Sequence, residues 1–97
     1  MARTPIHPGE ILAEELEEIN LSAKDLAGAL GVPANRVYQI LAGNRSVTAD
    51  TALRLARYFG GSEALWMNLQ SIYDVDLARI QLGKALARIP RRTAPAA

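Results

Sequence analysis

The 97-residue chain is long enough for one domain with a real but small core. Its make-up, 49% hydrophobic and 22% charged, excludes a wholly disordered protein, and its lack of cysteine excludes disulfides, thiol redox chemistry and cysteine-based zinc sites. The net charge of +1 says little, but the charges are unevenly placed: five glutamates and no cation lie between Glu10 and Asn20, and four cations and no acid lie from Lys84 onward.

The opening residues, MARTPIHPGE, lack the apolar stretch of a secretory signal, so a cytoplasmic location is expected. No later run approaches the roughly 18 apolar residues that span a membrane, and no membrane association is expected. The chain's one histidine, His7, precedes Glu10 by three residues within PIHPGEIL. A His-x-x-Glu pair lacks the further ligands of a metal site, whereas Pro8 suits a first helical position and Glu10 suits the third. The stretch therefore reads as a helix start. His7 is not among the preferred capping residues, so it is expected only to pack or to face solvent.

Helical punctuation continues along the chain. Residues 8–20 place Ile11, Leu12, Leu16 and Ile19 on one stripe. Ser22 offers an N-cap for a second helix that turns Leu26, Ala27 and Leu30 inward and stops at Gly31. A third helix, from about Pro33 to Ala42, turns Val37, Ile40 and Leu41 inward and ends at Gly43-Asn44. Thr48 caps a fourth, with Leu53, Ala56 and Phe59 expected inside, ending at Gly60-Gly61. The fifth and longest starts at Ser62-Glu63 and carries Leu65, Leu69, Ile72, Tyr73, Leu77 and Ile80 as its apolar stripe. After Gly83 the pattern weakens into a basic, flexible tail. The expected organisation is one domain over residues 1–83 and a tail over 84–97.

Residues 22–42 carry the main functional signal. Two short helices joined by a tight turn need a small residue where they cross, a positive-φ residue in the turn and a branched plug on the second helix. Ala27, Gly31 and Val37 meet these needs, with Leu26, Leu30, Val32 and Ile40 completing the core of a helix-turn-helix. Ala34, Asn35, Tyr38, Gln39 and Ala42 then point outward. Asn35 and Gln39, four residues apart, both donate and accept, as an adenine edge in the major groove requires. Flanking phosphate contacts are expected from Ser22 and Lys24, from Arg36 beside the reading face, and from Asn44, Arg45 and Ser46 in the loop after the third helix. Arg54 and Arg57 read as plain surface charges.

Three segments, HPGEIL, LSAKDLAGALGVPANRVYQILAGNRSVTADTALRLARYFG and WMNLQSIYD, together resemble the HigA antitoxins, a branch of the XRE-like, phage-repressor-type helix-turn-helix proteins. The resemblance covers about residues 5–80. It implies an all-α, five-helix, lambda-repressor-like DNA-binding domain. It also implies a homodimer that binds a palindromic operator in double-stranded DNA, represses its own operon, and neutralises a HigB toxin, a RelE-type mRNA-cleaving enzyme. Carried over residue by residue, the DNA surface is Pro33, Ala34, Asn35, Arg36, Tyr38 and Gln39. Two positions depart from the family pattern: Ala23 stands where relatives commonly have glutamine, and Pro33 where they commonly have serine. Each change removes a polar contact at the DNA edge.

The long last helix is the expected dimer surface, through Trp66, Leu69, Tyr73 and Leu77; the competing reading is that these complete the monomer core. Glu14, Glu15, Glu17 and Glu18 are a candidate face for a basic toxin, or simply a solvated helix face. A stand-alone XRE-type regulator without a toxin is the alternative function. An enzyme is not expected: there is no glycine-rich phosphate loop, no HExxH, and no nucleophile beside a credible base. Neither a cofactor nor a metal is implied.

Overall fold

In the computed structural model, which describes residues 3–93, each helix begins and ends where local chemistry stops its backbone from pairing. The elements are α1 (Pro8–Glu18), α2 (Ala23–Leu30), α3 (Ala34–Leu41), α4 (Ala49–Phe59), α5 (Glu63–Leu82) and a short α6 (Lys84–Ala87). The described residues form no strand. The architecture is all-α, with six helices rather than the five expected. The additional one is a single turn inside the segment expected to be a flexible tail, and residues 94–97 of that tail lie outside the described residues.

Ser22 and Ser62 accept backbone N–H bonds at 3.0 Å at the starts of α2 and α5, and Thr48 does so more loosely at 3.4 Å at the start of α4. Gly31 takes φ 72° at the end of α2, and Val32 N–H then donates back to the Ala27 carbonyl at 3.0 Å. Pro33 caps α3 instead of forming its first helical residue, and contributes no side-chain bond.

The expected role of His7 is corrected. It is the N-cap of α1: its Nδ1 accepts the Gly9 N–H at 2.9 Å, while its own N–H donates to Glu10 Oε2 at 3.1 Å. This is a capping box with imidazole in place of hydroxyl. The ring is buried rather than solvated, with Tyr73 packed edge-on at 4.8 Å between centroids.

The core joins Leu12 and Leu16 of α1, Leu26, Ala27 and Leu30 of α2, Val37 and Ile40 of α3, Ala52 and Leu55 of α4, Val47 and Trp66. Several expected core residues are outside it. Leu53 is 56% exposed, because α4 turns Thr51, Ala52, Leu55 and Ala56 inward, and position 53 lies about 130° from the centre of that face. Ile19 is exposed, and Ile11, Leu41 and Phe59 are half-buried. On α5 the buried side chains are Trp66, Gln70 and Asp76, whereas Leu65, Ile72 and Ile80 are exposed. The stripe that faces the core is rotated by about one residue from the apolar stripe. Polar partners compensate the two buried polar groups: Asp76 accepts from Arg3 Nε at 2.7 Å, and Gln70 bonds to Val47 and Asp74.

Candidate nucleic-acid interface

α2 and α3 pack directly on one another, with Ala27 and Val37 each 2% exposed at the crossing. This arrangement turns one side of α3 out. Asn35 is exposed, Tyr38 is 53% exposed and Gln39 is half-buried; with Ala42 they recur at helical spacing and share one face. Ala34 differs from its expected place, being half-buried and packed against the core, so its small size serves helix packing.

Ser22 and Lys24 are exposed at the start of α2, and Asn44, Arg45 and Ser46 are exposed in the loop after α3. The Ser22 hydroxyl already accepts the Asp25 N–H, which leaves its O–H free to donate elsewhere. Pro33 is exposed, and no side chain caps the start of α3, where the Arg36 N–H turns back to the Pro33 carbonyl at 3.0 Å.

Arg36 is held differently from the other expected phosphate contacts. Its Nη1 lies 2.8 Å from Asp50 Oδ1, and the same oxygen takes Arg54 Nε at 2.8 Å. The hydrogen bonds from Arg54 and then Arg36 hold the Asp50 carboxyl below the usual carboxylate range. Arg54 also donates through Nη1 to the Leu30 carbonyl at 2.7 Å, which satisfies a carbonyl at the end of α2. It is therefore a bracket between α4 and the turn of the helix-turn-helix, not a plain surface charge. The Asp50–Arg54 pair was legible as an i,i+4 match. The link to Leu30, 24 residues away, had no sequence signal.

Of the four residues expected at a dimer face, Trp66 is corrected. At 3% exposure it lies in the monomer core beside Phe59, with 6.3 Å between ring centroids, and has no surface to offer a partner. Leu69, Tyr73 and Leu77 are half-buried. Sequence reasoning missed Gln70, whose side chain reaches the loop after α3 and accepts the Val47 N–H at 2.7 Å.

Residues 12–66 match the family model described as helix-turn-helix. The chain is 54% identical over 74 residues to virulence-associated protein I of Dichelobacter nodosus, covering 75% of this chain and 68% of that protein. It superposes with a TM-score of 0.90 and 50% identity on an addiction module antidote protein of the HigA family from Coxiella burnetii, covering 94% of this chain and 100% of that one. It also superposes with a TM-score of 0.86 and 46% identity on the Pseudomonas aeruginosa antitoxin HigA, solved with the higBA promoter, covering 90% and 97%. With these matches spanning the helix-turn-helix and the long fifth helix together, the chain belongs to the HigA-type antitoxins of the helix-turn-helix family.

Proposed function

We propose that the protein is the antitoxin of a type II toxin–antitoxin module. It binds a palindromic operator as a homodimer to repress its own operon, and it neutralises a HigB/RelE-like mRNA-cleaving toxin by direct contact. The observation that carries the DNA half is the outward face of α3, where Asn35, Tyr38 and Gln39 stand clear of a core that holds Val37 and Ile40. A related HigA from Pseudomonas aeruginosa, 46% identical, was solved with its promoter. Asn35 and Gln39 would read base edges. Lys24, Arg45 and the N–H groups at the start of α3 would hold phosphates, joined by Ser22, Asn44 and Ser46, with Pro33 packing at the DNA edge. Arg36 would contribute only by leaving Asp50.

The homodimer is supported by shape. The molecule extends 55 Å along its longest axis against 22 Å along its shortest, and the far half of α5 exposes Val75, Ile80 and Leu82. A second copy would pack against Leu69, Tyr73 and Leu77 and this exposed half; to reach successive turns of the major groove the two α3 helices of the pair would stand about 34 Å apart. The tail from residue 84 would lie outside this unit.

The test has two arms. Asn35→Ala and Gln39→Ala should lose preference for the operator over random duplex by about 1–3 kcal/mol each while keeping salt-sensitive weak binding. Unchanged preference in both would remove α3 as the reading face. Co-purification with a RelE-like toxin from the adjoining reading frame, and rescue of growth on co-expression, tests the second half. Failure there, with DNA binding intact, would leave a stand-alone regulator.

A further inference from the structure

Two buried polar side chains, far apart in sequence, lie beneath the two ends of the loop that follows α3. Asn44, Arg45 and Ser46 face solvent on its outer side, and Val47 at 2% exposure plugs the core on its inner side. Gln70 reaches up from α5: Oε1 accepts the buried Val47 N–H at 2.7 Å, and Nε2 donates to Asp74 at 2.9 Å. His7 supports the other end from the start of α1. A β-carbon at Gly43 would stand 3.8 Å from the imidazole. Because Nδ1 accepts the Gly9 N–H, the ring proton of the neutral form sits on the other nitrogen, and the Arg45 backbone lies beside the ring. His7 is 6% and Gln70 5% exposed, so neither has surface to offer DNA.

We propose that His7 and Gln70 are positioning residues for DNA binding, which together hold the backbone of residues 43–47 so that Asn44, Arg45 and Ser46 meet the phosphates. This rests on the DNA-binding reading above. A loop held before binding need not be ordered during it. Each loop residue left to be ordered on binding weakens affinity by about tenfold. If the loop no longer reaches its phosphate, the salt slope of log K flattens by about 0.9.

Protonation of the imidazole bears on the α1 cap rather than on the loop. The ring faces Glu10 on its own helix, Tyr73 and Asp74 on α5, and Arg45 in the loop. Burial, opposed by the Arg45 backbone and by the two carboxylates, keeps its pKa below the ordinary 6.5. Protonating Nδ1 removes the acceptor of the Gly9 N–H. The cap on Gly9 is therefore intact above pH 6.5 and is lost as pH falls through the lower folded value, whereas the contact with the Arg45 backbone favours the charged ring.

The experiment uses a duplex selected by the wild-type protein from a random-sequence pool. Binding is measured at about 50 and about 200 mM salt. His7→Asn keeps a preferred capping side chain but loses the ring beside Gly43 and Arg45, so, folded by its melting curve, it should bind about tenfold more weakly. Gln70→Met, folded by its melting curve, should bind about tenfold more weakly with a slope flatter by about 0.9. Folded His7→Asn with wild-type affinity overturns the proposal. So does folded Gln70→Met with wild-type affinity and slope. If the wild type selects no duplex and shows no salt-dependent binding, the DNA-binding reading itself fails, and the proposal with it.

Discussion

Gly9→Ala and Gly28→Ala place the same methyl group on two helices and should act in opposite directions. Gly9 sits in the first turn of α1, where that helix meets the end of α3. A β-carbon there would land on the Ile40 carbonyl oxygen and 2.8 Å from its carbon. Both atoms are backbone, and Ile40 is 1% exposed in the core, so no flexible side chain can give way. The helices must separate, and overpacking of this kind costs about 1–3 kcal/mol. The contact lies with backbone, so the upper end applies, about 3 kcal/mol, less at most about 1 kcal/mol gained from alanine's helix propensity. A net loss of about 2 kcal/mol lowers the melting temperature by about 8–16 °C in a domain of this size. Gly28 lies within α2 with nothing within 4 Å of its would-be β-carbon. Alanine there should instead raise stability by about 0.4–1 kcal/mol, or about 2–8 °C. Thermal melts followed by circular dichroism measure both. A Gly9→Ala protein that melts at or above the wild-type temperature would refute the close approach of α1 to α3. An equal loss at Gly28 would show that glycine content, not geometry, sets the effect.

Two further outcomes test the bracket and the core. Arg54→Ala removes the donor to the Leu30 carbonyl and should lower the urea midpoint by about 1 kcal/mol worth of stability with an unchanged m-value, the cost being modest because the side chain is 40% exposed. Arg54→Lys should not restore it, because one ammonium lacks the planar fork that serves Asp50 and Leu30 together; full rescue by lysine would show that charge alone matters. Trp66→Ala should cost about 3–5 kcal/mol and destabilise the isolated protomer, as a core residue does. If it only shifts the oligomeric state in sedimentation, with stability unchanged, then Trp66 belongs to an interface after all.

The parts legible in the sequence were those governed by neighbours within about four residues. Ser22, Thr48 and Ser62 start helices because their hydroxyls accept N–H groups two or three positions on, and Gly31 ends α2 because it tolerates φ 72°. The helix-turn-helix was readable for the same reason, since Ala27, Gly31 and Val37 lie within one supersecondary unit. Tertiary structure alone decided which side of α5 faces inward. Apolar periodicity favoured Leu65, Ile72 and Ile80, but the buried side includes Gln70 and Asp76, whose partners Val47 and Arg3 lie 23 and 73 residues away. It likewise decided that His7 is a buried cap, because the ring is enclosed by Tyr73, Gly43 and the Arg45 backbone, none of them near it in the chain. Local hydrogen bonds close small rings and leave a residue pattern that can be read along the chain. A buried polar group is stable only with a partner brought by folding, and nothing in its own few residues records which partner that will be.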